Sequence, residues 1–319
     1  MNRTIALALA EHRARPIEAA PWLVAAAVYF IFADRLPFAG QVLITILFAL
    51  SLDLVLGFAG IVTLGHAAFY GAGAYAAGIY AIHVSPEPLS GLLAAASVAA
   101  AIGAVSGLVI LRTHGLTQLM LTLAFATLLA EAANKASFLT GGNDGLQGIE
   151  IDPVLGLFRF DMFGRAGYIY CLIVLFCCWL FLRLLLASPF GLSLVGIREN
   201  AGRMRSIGAP VARRLLIAYT IGAAMAGIAG GLLAQTTQFV GQSVLSFERS
   251  GEIVIMLVFG GIGRVQGAFA GTAVYMIAQD QLAKSDPVFW NFWIGLILVL
   301  TVMFARGGIL GVVDRLRGR

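Results

Sequence analysis

Long apolar runs without a single charge decide what this chain can fold into. Residues 36–52 (LPFAGQVLITILFALSL) and 89–111 (LSGLLAAASVAAAIGAVSGLVIL) contain no Asp, Glu, Lys or Arg. A helix crosses a bilayer core with roughly 20 such residues. Comparable runs recur from about residue 19 to about residue 305. Only 12% of the 319 residues are charged, against about 25% in a soluble domain, and the mean hydropathy is +0.92. The expectation is an all-α, polytopic transmembrane helical bundle.

About ten spans are predicted. They cover 19–33, 38–56, a third ending near His83, 89–111, 116–133, 167–186, 215–237, 252–262, 267–282 and 288–305. The eighth and ninth are short and could be half-helices, so nine or eleven spans stay open. With ten spans, fifteen of the 21 Lys and Arg side chains share the side of both termini and six lie opposite. Cytoplasmic loops carry the excess of basic residues, which orients the chain N-in and C-in. Residues 1–18 then form a cytoplasmic N-terminal segment, 19–305 one transmembrane domain, and 306–319 a basic tail. The opening MNRTIALALAEHRARP has too short an apolar run for a signal peptide. Cys171, Cys177 and Cys178 share one apolar run and read as packing residues, not as a disulfide framework or metal site.

The stretch Gly57 to Tyr75, GFAGIVTLGHAAFYGAGAY, stands out within this background. Its glycines allow close backbone approach, or a helix that breaks at membrane depth. Such a break is tolerated only where protein or a watery cavity covers the freed backbone groups. Gly60, Thr63, Gly65, His66, Gly71 and Gly73 are therefore candidates for lining a polar path. Gln118 and Thr122, one helical turn apart, are candidates for the same path or for bonding within the bundle. His66 has no Cys or carboxylate at metal-ligand spacing. It reads as a structural histidine or as a path residue, and the intramembrane Asp53 and Glu131 divide the same way.

The chain has only two lysines, Lys135 and Lys284, and neither follows a glycine. A phosphate-cradling Walker A loop is thus absent, and any ATP drive must come from a partner. No Ser/His, paired-carboxylate or HExxH arrangement suggests an enzyme. The loop Ser188 to Arg214 opens with Pro189 and Gly191 and closes with Gly208 and Pro210, leaving room for a short helix. Arg198, Glu199, Arg203 and Arg205 are expected on its exposed faces. By composition it is a topogenic basic loop or a docking helix for a cytoplasmic protein. The segment with Thr140, Gly141, Gly142, Asp144 and Gly145 is a turn-rich loop on the opposite side.

Four segments together resemble one family. Residues 57–75 follow G-x-x-G-x-x-[ST]-L-G-H-A-A-F-x-G-x-G-A-Y. Residues 139–149 read LTGGNDGLQGI, and residues 188–200 follow S-P-F-G-x-x-L-x-x-I-R-E-N. Gly260, Gly261, Gly263, Gly267 and Gly271 resemble a last glycine pattern. In this order they resemble the M-type permease subunit of branched-chain amino-acid ABC importers, over about two-thirds of the chain. The resemblance implies alternating access driven by partner ATPases, which carry the ATP and Mg, in a bacterial inner membrane. It implies a sister permease, two ATPase subunits and an extracytoplasmic solute-binding protein as partners, and no cofactor or metal on this chain. It makes Ser188, Pro189, Gly191, Arg198, Glu199, Asn200 and Gly208 the ATPase-coupling loop. It places Thr140 to Gly145 at the outer mouth. The rival reading is a stand-alone ion-coupled transporter or channel in which Asp53 or Glu131 binds H⁺ or Na⁺. Branched-chain amino acids, other amino acids, urea and small carboxylates all remain open as solutes.

Overall fold

The computed structural model of the protein describes residues 20–31, 35–153, 164–287, 289–304, 308 and 311. The expected N-terminal segment and most of the basic tail lie outside them. Among the described residues the chain is helical, and its only ladder contact is an antiparallel bridge between Leu146 and Val240. Eleven α-helices of 12 residues or more follow in order. They are α1 (Ala20–Ile31), α2 (Leu36–Leu52), α3 (Ala67–His83), α4 (Pro88–Ile110), α5 (Leu116–Lys135), α6 (Arg165–Ala187), α7 (Pro189–Ser206), α8 (Val211–Thr237), α9 (Phe247–Gly260), α10 (Val265–Ser285) and α11 (Trp290–Phe304). Prolines stand in the first turns of α2, α4 and α7, where a missing N–H costs nothing and a fixed φ suits the helix.

Five of these helices, α2 with its π-helical extension Asp53–Phe58, α4, α5, α6 and α8, are long and apolar enough to cross a membrane. A sixth is reached if α9 and α10, bent by 114° at their junction, count as one span. The third and eighth expected spans appear as the 17-residue α3 and the 14-residue α9. Both begin part-way along the bundle.

Helix α8 is the packing centre. In a bilayer, lipid is as apolar as leucine, so close contact between backbones replaces the hydrophobic drive. A Cβ on Gly222 would meet Val55 of the α2 extension at 2.3 Å. One on Gly227 would meet Ala99 of α4 at 2.4 Å, and one on Gly230 the Tyr70 carbonyl of α3 at 1.9 Å. Glycines thus bring three helices onto α8. Helix α5 shows the inside-out pattern of a lipid-facing span. It buries Gln118, Thr122 and Ala126, and it exposes Leu116, Met120 and Leu128. The protein is a multi-pass helical membrane protein.

Candidate functional site

The glycine-rich stretch is a broken helix. Helix α2 loosens into the π-helical turn Asp53–Phe58, and residues 59–66 then return without helical structure. Ile61 N–H donates to Val55 O at 2.9 Å, so the return runs back along the helix it has just left. His66 ends it level with Ser51, their Nε2 and Oγ atoms 2.9 Å apart. The imidazole is buried, stacks on Phe48 with centroids 5.6 Å apart, and meets Phe69 edge-on. Its Nδ1 has no hydrogen-bond partner among the described residues. Helix α3 starts there, and its leading Ala67 N–H donates to Ser250 Oγ of α9 at 3.0 Å. In and just after the broken segment, the N–H groups of Ile61, Leu64, Gly65 and Ala67 find acceptors within the protein, while Gly60 and Val62 are exposed.

Helix α9 also starts at this level. After α8 the chain passes Gln238, its φ of 54° in the left-handed region, and a 3₁₀ turn at Gln242–Leu245. Ser246 caps α9 by accepting from Arg249 N–H at 3.2 Å. Helices α3 and α9 thus begin side by side inside the bundle, their first turns joined through Ala67 and Ser250. Helix α9 ends at Gly260, and the turn 261–264 leads into α10. A Cβ on Gly271 would meet the Met256 carbonyl at 2.2 Å, and one on Gly267 the Gly261 carbonyl at 2.5 Å. That glycine pair serves helix packing.

The two breaks touch. Asp53, fully buried, accepts through Oδ1 from Gly263 N–H at 2.7 Å, while Oδ2 has no hydrogen-bond partner among the described residues. A Cβ on Gly57 would lie 2.0 Å from Asp53 Oδ1 and 2.7 Å from Gly263 N. Arg198 completes the junction from α7, its guanidinium donating to the Gly57 carbonyl. The Arg198 side chain also lies against Gly60, where a Cβ would be 3.0 Å from its Cγ. Arg198 is exposed, as are Glu199, Arg203 and Arg205, in line with the sequence expectation. What the sequence did not show is that its guanidinium, one turn after the buried Leu194, reaches back to the bundle.

The other residues of the expected path are distributed. Gly65 and Thr122 meet at the α5 seam, where a Gly65 Cβ would be 2.3 Å from the Thr122 carbonyl. Leu64 N–H donates to Thr122 Oγ1 at 3.3 Å, and Thr63 Oγ1 accepts from Gly65 N–H at 3.2 Å. Gln118 is buried on the same α5 face. Gly71 packs on Leu245, and Gly73 on Gly227. Glu131 is exposed beside Lys135, 3.8 Å away.

In α7, Ser188 is the N-cap, Pro189 sits in the first turn, and Gly191 packs on the Leu186 carbonyl. Asn200 interrupts the helix with extended backbone, and its Oδ1 accepts from Arg203 N–H at 2.9 Å, capping a second short helix. Gly208 has a φ of 84° and open space beside it. The far loop is built by glycines at left-handed φ, Gly141, Gly142 and Gly145. Thr140 Oγ1 donates to the Ala133 carbonyl at 2.5 Å, and Asp144 is exposed in a 3₁₀ turn. The Leu146–Val240 bridge ties this loop to the segment that feeds α9.

A family model described as "Branched-chain amino acid transport system / permease component" matches residues 35–303. The chain belongs to that family. It is 26% identical over 303 residues to the high-affinity branched-chain amino acid transport system permease protein LivM of Salmonella typhimurium, covering 88% of this chain and 71% of the relative. The LivM of Escherichia coli is 26% identical over 309 residues with the same coverage. A probable branched-chain amino acid transport permease protein LivH of Methanocaldococcus jannaschii is 25% identical over 169 residues, 48% of this chain and 51% of the relative. No solved structure matches.

In this permease component, sequence reasoning named Asp53, Gly57 and Arg198 separately and did not connect them. The spacing of Arg198, one helical turn after the buried Leu194, was the available signal. Nothing in the sequence brought Gly263 to Asp53, a separation of 210 residues. Ser250 and Arg249 escaped notice because the start of α9 was placed later, at residue 252.

Proposed function

We propose that this chain is the membrane-spanning subunit of an ATP-driven importer for branched-chain amino acids or a related small polar solute, working by alternating access. One observation carries the reading. Arg198, on the segment expected to dock an ATPase, is hydrogen-bonded to Gly57 in the broken helix. Beside Gly57, Asp53 holds the turn between α9 and α10. A shift of α7 on ATP binding would therefore act on both breaks at once. The partners in this reading are a sister permease, two cytoplasmic ATPases that hold ATP and Mg, and an extracytoplasmic solute-binding protein. The chain itself binds no cofactor. It sits in a bacterial inner membrane with about ten crossings, N-in and C-in. Helix α7 and Phe58 then face the cytoplasm, and Leu36 and the Thr140–Gly145 loop face outward.

The test is a gentle detergent pull-down of the tagged chain from its native membrane, followed by uptake in vesicles. Two ATPases and a second permease, with solute uptake that needs ATP, are the expected result. A monomer or homodimer moving solute in ATP-free vesicles overturns it. Such a result would favour an ion-coupled transporter, for which the unpartnered Oδ2 of buried Asp53 is the motivating observation.

A further inference from the structure

A cavity of about 320 Å³ opens between α2, α3, α8, α9 and α10. That volume is at the lower end of the roughly 300–1,000 Å³ of small-molecule sites, so it suits a solute of amino-acid size. It lies at the first turns of α3 and α9, where Tyr70 of α3 and Arg249 of α9 reach it. A second, shallower cavity of about 280 Å³ shares Phe38 and Asp280 with it and carries Arg35 and Lys284 at the Leu36 end.

The chemistry of the lining is two-sided. Arg249 donates to Glu252 Oε2 at 3.0 Å and hydrogen-bonds the Tyr70 hydroxyl. A guanidinium has five N–H donors, so donors remain for a planar carboxylate, which Arg grips in bidentate fashion. The N-terminal ends of α3 and α9 add positive partial charge at the same place. Across the cavity Asp280 of α10 supplies a carboxylate, ion-paired one turn on with Lys284. Ile44, Leu233 and Met276 supply an apolar wall. Each charged group already has a counter-charge, so the lining is balanced, and a ligand of net charge would unbalance it.

We propose that this cavity binds free α-amino acids with apolar side chains, Arg249 taking the carboxylate, Asp280 the ammonium group, and Ile44, Leu233 and Met276 the side chain. The proposal deepens the importer reading and rests on it for the direction of approach. It concerns residues outside the glycine-rich path expected from the sequence.

The test uses the assembled transporter in native membranes, with Ala283→Cys at the cavity rim and Cys177 and Cys178 replaced by serine. The readout is the rate of labelling by a membrane-impermeant maleimide. L-leucine, L-isoleucine or L-valine should slow labelling, while leucinamide, which lacks the carboxylate, and isovalerate, which lacks the ammonium group, should not. Arg249→Gln should raise the leucine concentration for half-protection about tenfold or more, the cost of losing a charge-assisted hydrogen bond. Glu252→Gln, which breaks the same ion pair but keeps the guanidinium, should leave protection in place. A purely structural ion pair would make the two variants equally harmful. Absence of protection by all three amino acids, equal protection by leucinamide or isovalerate, or equal loss in the two variants overturns the proposal. ATP-dependent uptake is measured in the same membranes. Uptake without protection sinks the site and leaves the importer reading standing. Protection without any ATP dependence sinks the importer reading and leaves the site.

Discussion

Arg198 and Gly57 are 141 residues apart in sequence, and the guanidinium of one donates to the carbonyl of the other. The carbonyl belongs to the π-helical turn where α2 breaks, so it is one of the groups a regular helix would have satisfied itself. Arg198→Ala should uncouple ATP hydrolysis from transport. ATP-driven uptake in proteoliposomes should fall about tenfold or more, because a hydrogen bond to a charged group contributes roughly 1.5–3 kcal/mol. Basal ATPase activity of the assembly should persist. Arg198→Lys should recover part of the uptake. Equal loss of uptake and of complex assembly would show that Arg198 only holds the fold.

Gly57 tolerates no side chain. A Cβ would lie 2.0 Å from Asp53 Oδ1 and 2.7 Å from the Gly263 backbone. Removing the carboxylate cannot relieve the second contact. Gly57→Ala should therefore lower the melting temperature of the purified protein sharply, and Gly57→Ala with Asp53→Ala should not restore it. A double variant as stable as the parent would show that the two breaks are not locked against each other.

Helix packing gives a graded comparison. A Cβ on Gly230 would sit 1.9 Å from the Tyr70 carbonyl, whereas one on Gly40 or Gly251 has no described residue within 4 Å. Gly230→Ala should cost several times the roughly 1–3 kcal/mol typical of overpacking with a flexible neighbour, because the obstacle is backbone. Gly40→Ala and Gly251→Ala, both in helices, should be neutral or stabilise by about 0.5–1 kcal/mol. Thermal unfolding in detergent ranks the three. An unchanged midpoint for Gly230→Ala would contradict the contact between α3 and α8.

Much of this was legible beforehand because membrane insertion writes itself into composition. The uncharged runs located α2, α4, α5, α6 and α8 to within a few residues, and the glycines at 57–65 marked a break that the structure contains. The shortness of the eighth expected span, α9, was legible too. Where α3 begins was not, because an apolar segment reads alike whether it starts at the membrane face or inside the bundle. The same holds for long-range partners. Asp53 could be seen as an intramembrane charge, but its partner is a backbone N–H at Gly263, and backbone groups leave no trace in sequence. Gly71 and Gly73 looked like path residues for a related reason, since glycine serves close packing and broken helices equally. Here they meet Leu245 and Gly227.

Ser250 joins the starts of α3 and α9 by accepting from Ala67 N–H at 3.0 Å. Ser250→Ala would orphan that buried N–H, and an unsatisfied buried donor costs roughly 1–3 kcal/mol. The penalty falls on the first turns of α3 and α9, not on the α8 packing centre, so it should appear as local opening. Hydrogen exchange should rise at residues 67–70 and 247–251, while the helices around α8 keep their protection. Ser250→Thr keeps a hydroxyl in place and should retain most of the protection. Uniformly faster exchange across the whole bundle would mean that the pair is part of the general fold and that the two starts do not form a unit of their own.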